Sequence, residues 1–291
     1  MAILQELKDS FKQGSVVTRL IYLNVGVFVL LRLLEAVVFL AGGSFSLVPF
    51  LALPASADAL LHRPWTIMSY MFLHHGVLHL LFNVLWLYWM GELFLRYFTQ
   101  NQLLGIYLLG GVSGGLLYIL LFNISPSLGA KLHMVQLLGA SGSVLAIMAA
   151  VATYAPNHPI RLMFIGELKM KHFALASLVL YTIGMAGSNA GGDIAHVGGM
   201  IFGFFFIVSY RKGTDLTRWV PSLIYYVEKL FTPKSRIKVS YRNPNQNQQK
   251  QTTQQQAQVD QERINAVLAK VRQSGYDSLS KEEKELLFKM K

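Results

Sequence analysis

The sequence predicts an all-α, polytopic membrane protein: a bundle of six transmembrane helices followed by a small cytoplasmic helical hairpin. Hydrophobic residues make up 53% of the 291 positions and charged residues only 14%, whereas about a quarter of a soluble domain is charged. The apolar residues also fall in runs near the length that a helix needs to cross a bilayer. The predicted spans are 19–41, 75–95, 102–123, 136–155, 171–188 and 191–210.

Composition also excludes several classes of function. The chain has no cysteine, which rules out disulfides and thiolate metal sites. Its net charge is +11, but a basic excess in a membrane protein usually reflects topology and contact with lipid. No basic soluble face with aromatic platforms is present, so we do not expect a nucleic-acid partner.

Residues 1–18 precede the first span and are predicted to form a short helix on the cytoplasmic membrane surface. Apolar residues recur there near helical spacing with charged residues between them, which is typical of an interfacial helix: Ile3, Leu4, Leu7 and Phe11. A frayed tail is the alternative.

Polar and small residues inside the spans predict how the helices pack. Arg32 and Glu35 on the first span are three positions apart, so they share a face on which they can pair or point into the bundle. The third span carries five glycines: Gly105, Gly110, Gly111, Gly114 and Gly115. Glycines four apart let helices approach closely, which predicts a central position for this span.

The distribution of basic residues predicts the orientation. Six spans place both termini on one side of the membrane. The outer loops hold only Arg63 and Lys131, whereas the inner flanks hold most of the others: residues 8–19, Arg96, Arg161, Lys169, Lys171 and the chain from Arg211 onward. The positive-inside rule therefore predicts cytoplasmic termini, with a bacterial inner membrane as the default compartment.

Three further segments follow the last span. Residues 211–242 form a basic juxtamembrane and interfacial segment, and residues 243–262 a glutamine-rich linker that cannot bury enough surface to order itself. Residues 263–291 predict the helical hairpin, with a stop near Gly275 and a second helix opened by the capping box that starts at Ser280. We expect docking rather than chemistry there.

Ser141 and His196 are the first candidates for chemistry. Ser141 lies among small residues at the outer end of the fourth span, where packing between helices is the alternative interpretation. Each of the two residues lies some five residues inside its predicted span, or about 7 Å of helix rise. Because the two helices run in the same direction, the hydroxyl and the imidazole can meet as a nucleophile and its base.

The second span adds polar groups near the same end of the bundle. His79 and Asn83 share a helical face, and both can donate hydrogen bonds to a developing oxyanion. His74 lies just before them. His75 and His79 are also four apart, but position 76 is Gly76 rather than glutamate, so the pattern does not favour a metal site.

Together these motifs resemble the signatures of the rhomboid intramembrane serine proteases. The matching motifs are Gly139-Ala140-Ser141-Gly142, Ala195-His196-Val197-Gly198-Gly199 with Gly203, and His74 followed by His79 and Asn83. Three motifs in the right order on the second, fourth and sixth spans make the match specific. The resemblance covers residues 19–210, which would form a rhomboid-like protease domain.

The resemblance implies a role for each matching residue. Ser141 would be the nucleophile and His196 the general base, a dyad without an acid. The oxyanion would be stabilised by His79, Asn83 and the backbone N–H of Ser141. Accessory and packing roles fall to the remaining positions of the motifs: His74, Gly139 and Gly142 as accessory residues, and Gly199 and Gly203 as close-packing glycines.

The implied activity is that of an intramembrane serine endopeptidase that cleaves transmembrane or membrane-adjacent segments without a metal or organic cofactor. Its partners would be transmembrane protein substrates and the lipid bilayer. The alternative is a catalytically inactive rhomboid-like chaperone or trafficking factor, although relatives of that kind lack the nucleophile or the base. A transporter would need broken helices or an inverted repeat, and the sequence has neither.

The sequence departs from the family pattern at two positions. Trp65 matches the tryptophan of a Trp-Arg pair in the first outer loop, but Thr66 replaces the arginine. Leu145 stands where the best-studied members carry a tyrosine that stacks on the histidine, which leaves open how His196 is held. Asp193 is three residues before His196, a spacing that seldom gives an in-line triad contact, so we do not expect it to complete a triad.

Overall fold

A computed structural model describes residues 2–162, 166–231, 261–275 and 279–288, and most of these residues are helical. The helices, in chain order, are α1 (Ala2–Gln13), α2 (Val16–Leu40), α3 (Val48–Leu51), α4 (Ala57–His62), α5 (Thr66–Ser69), α6 (Val77–Leu95), α7 (Gln100–Ile124), α8 (Pro126–Gly129), α9 (Ser141–Tyr154), α10 (Met170–Gly184), α11 (Ala190–Arg211), α12 (Val220–Phe231), α13 (261–274) and α14 (Lys281–Phe288).

Within the described residues, four helices are long and apolar enough to cross a membrane: α2, α6, α7 and α11. Two more, α9 and α10, are apolar but shorter, with 14 and 15 residues. Most helix bounds lie within a few residues of the predicted spans. The fourth is an exception, since α9 begins at Ser141 and not at position 136. The expectation that five helical residues precede Ser141 was therefore wrong.

The fold is mostly helical, and two short antiparallel sheets that the sequence did not predict are present in addition. Strand β1 (Leu53–Pro54) pairs with β2 (Gln136–Leu137), and β3 (Pro159–Leu162) pairs with β4 (Gly166–Lys169). Strands of two to four residues leave no clear period in a sequence, and β1–β2 joins positions far apart in the chain. This pair connects the loop between α2 and α6 to the segment that leads into Ser141.

Helices α7, α9 and α11 form the centre of the bundle. Every residue of α9 from Gly142 to Ala152 is buried. The glycines of α7 permit this close packing, because a Cβ at Gly110 would overlap that of Ala146, and one at Gly114 would lie 2.6 Å from the carbonyl oxygen of Ala195. In contrast, Met170 is the one buried residue of α10, so α10 packs at the edge.

The loop between α2 and α6 is held together by hydrogen bonds from side chains to its own backbone. Trp65 Nε1 donates to the carbonyl of Phe50 (2.8 Å), and Arg63 donates to that of Pro49 (2.7 Å). Thr66, at the position where an arginine was expected, is buried and donates to the carbonyl of Arg63 (2.6 Å). The hydroxyl of Thr66 therefore makes a local hydrogen bond at the first residue of α5, with a partner in the same loop.

The internal contacts divide the chain into two units, Met1–Thr232 and Pro233–Lys291. In the second unit, α13 ends before Gly275, whose φ of +80° suits a helix stop. Ser280 and Glu283 make both reciprocal bonds of a capping box at the start of α14. The predicted linker 243–262 lies outside the described residues, apart from Gln261 and Glu262 at the start of α13.

Candidate active site

Ser141 is the first residue of α9, and the chain reaches it through an unusual backbone turn. Gly139 has a φ of +132°, a conformation that residues with a Cβ rarely adopt. Its N–H donates to the carbonyl of Tyr70 (3.0 Å). A Cβ at this position would lie 3.0 Å from Cε1 of His79 and 3.6 Å from the hydroxyl oxygen of Ser141. Gly139 thus supplies both the turn and the open space beside Ser141.

The hydroxyl of Ser141 and the imidazole of His196 are in hydrogen-bond contact. His196 Nε2 lies 2.6 Å from Ser141 Oγ, although the two residues are 55 positions apart. Glycines on α11 allow the approach, because a Cβ at Gly199 would overlap the carbonyl oxygen of Gly142, and one at Gly203 that of Ala146. The backbones of α9 and α11 therefore touch directly in the turns that follow Ser141 and His196.

The other side of the imidazole meets two different groups. His196 Nδ1 has no hydrogen-bond partner within the described part of the chain, and Asp193 Oδ1 lies 3.7 Å away, beyond hydrogen-bond distance. The ring of Tyr181, on α10, lies 4.3 Å from the imidazole between centroids, at an interplanar angle of 65°. Leu145 is buried one turn after Ser141 and offers no ring.

Tyr181 is the residue that sequence analysis missed at this site. It is the one tyrosine of α10 and lies near the C-terminal end of the helix, and that isolated position was the available signal. The sequence does not fix how α10 is rotated against α11, however, so the face on which Tyr181 lies could not be derived.

His79 and Asn83, on α6, lie in the same cleft as Ser141. His79 is next to Gly139, and its Nδ1 accepts a weak bond from the N–H of His75 (3.4 Å). Asn83 is buried and donates one amide hydrogen to the carbonyl of His79 (2.8 Å), which leaves its second N–H unused by that bond. The structure thus brings His79 and Asn83 to the same cleft as Ser141 and His196.

His74 is set back from this group. Its side chain is buried, its ring packs 5.1 Å from that of His79, and it lines neither of the cavities at Ser141. Burial, together with the neighbouring His79, lowers the pKa of His74 to about 4. At neutral pH His74 is therefore uncharged, and its ring contacts that of His79 without lining either cavity.

Two cavities meet at the Ser141–His196 pair. One has a volume of about 970 Å³ and reaches Lys131, Ser125 and Asn189 among its polar lining residues. The other, of about 500 Å³, runs between α6 and α10 and is largely lined by apolar and aromatic side chains such as Trp86 and Phe173. Ser141 and His196 thus line both the larger cavity, whose lining mixes polar and apolar groups and which we call the polar cavity, and the smaller, which we call the apolar cleft.

The start of α9 also provides hydrogen-bond donors. The first bond inside the helix runs from the N–H of Val144 to the carbonyl of Ala140 (3.0 Å). The N–H groups of Ser141, Gly142 and Ser143 are therefore not used within the helix, and they lie at the positive end of its dipole. Such an arrangement can stabilise negative charge that develops beside Ser141.

Comparison with known proteins gives one consistent result. The family model described as "Rhomboid domain" matches residues 61–213, just over half of the chain. The Rhomboid protease GluP of Bacillus subtilis (strain 168) is 30% identical over 166 residues, which are 56% of this chain and 30% of that protein.

Two other relatives match at similar identity. The Rhomboid protease GlpG of Pectobacterium atrosepticum is 28% identical over 218 residues, covering 72% of this chain and 67% of that protein. The Rhomboid protease AarA of Providencia stuartii is 29% identical over 160 residues, covering 50% of this chain and 56% of that protein. The chain therefore spans between about a third and two thirds of these curated relatives. Together with the apolar helices, the family match identifies an integral membrane protein.

Proposed function

The chain belongs to the rhomboid family, and from this premise we propose that it is an intramembrane serine endopeptidase that cleaves transmembrane or membrane-adjacent segments of membrane proteins. The observation that supports this most strongly is the 2.6 Å contact between Ser141 Oγ and His196 Nε2 at the junction of two cavities. A serine hydroxyl held against an imidazole is the arrangement that nucleophilic catalysis requires.

In the proposed mechanism, Ser141 Oγ attacks the carbonyl carbon of the scissile peptide while His196 Nε2 takes the hydroxyl proton. The tetrahedral intermediate then collapses, the C–N bond breaks, and His196 returns the proton to the leaving amine. Water attacks the resulting acyl ester with His196 again as the base, which releases the new carboxylate and restores Ser141. Each proton taken by the imidazole is given back within the cycle.

The oxyanion of the intermediate would be stabilised from the side of α6. We assign this role to His79, Asn83 and the backbone N–H of Ser141, because the two side chains line the cleft beside the nucleophile. Gly139 and Gly142 act as accessory residues that keep this space open. His74, neutral and buried, keeps the ring of His79 in place.

The proposed membrane arrangement has six spans, α2, α6, α7, α9, α10 and α11, with both termini in the cytoplasm of a bacterial cell. The polar cavity then lies toward the outer surface and admits the water that hydrolysis needs. The apolar cleft between α6 and α10 faces the lipid and admits a substrate segment. Because the carbonyls of a helix are already hydrogen-bonded, that segment must unwind locally before cleavage.

The test is cleavage of a single-span reporter in membranes or detergent. Ser141→Ala and His196→Ala should each lower kcat/KM by a factor of about a thousand or more, since a dyad fails as a unit when either member is lost. Matched controls are Ser143→Ala, on the same helix, and His172→Ala, exposed at the start of α10. Both controls should keep activity, and retained cleavage in the Ser141 or His196 variant would contradict the assignment.

A fluorophosphonate probe separates this proposal from the inactive chaperone or trafficking alternative. A serine activated by a base reacts covalently with the probe, whereas an unactivated serine does not. We expect labelling of the wild-type chain at Ser141 and none of the Ser141→Ala variant. A folded wild-type chain that the probe does not label would favour the binding protein.

A further inference from the structure

The imidazole of His196 lacks the support that a carboxylate usually gives a catalytic histidine. Asp193 Oδ1 is 3.7 Å from His196 Nδ1, and this nitrogen has no hydrogen-bond partner among the described residues. Among the described residues, the contact between Nε2 and Ser141 is the only hydrogen bond of the ring, so among hydrogen bonds it alone opposes rotation about the Cβ–Cγ bond. A second contact is needed if Nε2 is to stay aimed at the hydroxyl.

The helix that carries the nucleophile does not provide that contact. Leu145 lies one turn after Ser141 on the same face of α9 and lines the cleft together with His196. It is an aliphatic residue with no ring to pack edge to face against the imidazole. The aromatic partner comes from α10, where the ring of Tyr181 lies 4.3 Å from the imidazole at 65°.

We infer that Tyr181 is a positioning residue that fixes the imidazole of His196 for proton transfer with Ser141. This role rests on the proposed function, because it matters only if His196 acts as a base. An edge-to-face contact restricts rotation of both rings and does not require the phenolic hydroxyl.

The origin of Tyr181 on α10 has a consequence for the site. The nucleophile and the base lie on α9 and α11, whose backbones touch, but the positioning ring belongs to a helix with one buried residue. A shift of α10 away from α11 would leave the Ser141–His196 pair in place and remove the ring that orients it. The orientation of the His196 imidazole thus depends on the position of α10 against α11.

The test measures reporter kinetics and the rate of fluorophosphonate labelling in three variants of the full chain. Tyr181→Phe keeps the ring and should retain wild-type values. Tyr181→Leu should lower kcat and the labelling rate by about two- to tenfold; because Tyr181 also lines the apolar cleft, KM is measured separately from kcat. Leu180→Ala, at an exposed neighbouring position of α10, controls for disturbance of that helix and should behave like the wild type.

The outcomes distinguish failure of the positioning role of Tyr181 from failure of the proposed protease function. If Tyr181→Leu does not fold, judged by thermal unfolding, Tyr181→Met replaces it as an unbranched side chain without a ring. A Tyr181→Leu or Tyr181→Met chain that reacts at the wild-type rate, or one that changes KM alone, would overturn the positioning role while leaving the proposed function intact. A wild-type chain that neither cleaves nor reacts would instead overturn the proposed function, and the positioning role with it.

Discussion

Gly139 meets two separate demands at a single position. Its φ of +132° is strained for any residue with a Cβ, and its missing side chain leaves room for His79 and for the hydroxyl of Ser141. We predict that Gly139→Ala destabilises the chain by about 1–3 kcal/mol through backbone strain. It should also lower kcat/KM by a factor of about ten to a hundred, because the new methyl group displaces His79.

Gly166 supplies the matched control for this prediction. Its φ is +88°, so alanine is strained there too, but among the described residues nothing beyond its chain neighbours lies within 4 Å of a Cβ built at that position. Gly166→Ala should therefore lower the melting temperature and leave reporter cleavage unchanged. If both variants cleave like the wild type, the space beside Ser141 is not needed for activity.

At the level of elements, the contact between α9 and α11 depends on backbone touching backbone. A Cβ at Gly199 would overlap the carbonyl oxygen of Gly142, an atom that cannot move without moving the helix. We predict that Gly199→Ala forces the two helices apart and costs about 1–3 kcal/mol in unfolding free energy. Cleavage should fall with it, because Ser141 and His196 lie on the separated helices.

A glycine outside the α9–α11 contact tests whether the predicted loss of stability comes from that contact. Gly26 lies within α2, and no described group outside the backbone of that helix lies within 4 Å of a built Cβ. Alanine in a helix is favoured over glycine by up to about 1 kcal/mol. Gly26→Ala should therefore leave stability unchanged or raise it. Equal losses in Gly26→Ala and Gly199→Ala, measured by thermal unfolding, would show that α9–α11 contact is not the cause.

The elements also show how far the sequence alone can predict this structure. Long apolar runs bounded by polar residues locate a helix well, and α11 (Ala190–Arg211) differs from the predicted 191–210 by one residue at each end. The start of α9 could not be found in this way, because Gln136–Leu137 pairs with a strand much earlier in the chain. Non-local pairing leaves no periodic signal in the local sequence.

In the candidate site too, some features could be predicted from the sequence and others could not. His79 and Asn83 are at helical spacing, and the family motifs around Ser141 and His196 predicted that these residues lie together. Tyr181 could not be assigned to the site, because its contact with His196 depends on the rotation of α10 against α11 and not on spacing along either helix.

For the molecule as a whole, the asymmetry of basic residues predicts which side faces the cytoplasm. The loops predicted to lie outside contain Arg63 and Lys131, and Arg63 is already hydrogen-bonded within its loop. The opposite side carries most of the remaining cations, including the exposed Arg161 beside β4. Moving this side across the membrane would place many charges against the positive-inside rule.

The absence of cysteine from the native chain makes this orientation directly measurable. Met134, which is 83% exposed in the segment before β2, should lie outside, and Glu167, with a 62% exposed side chain in β4, should lie inside. In spheroplasts, a membrane-impermeant maleimide should label Met134→Cys at once and Glu167→Cys only after permeabilisation. The native chain, which has no cysteine, measures the background labelling. The reverse pattern would place both termini outside and turn the polar cavity at Ser141 toward the cytoplasm, so that the water for hydrolysis would have to enter from that side.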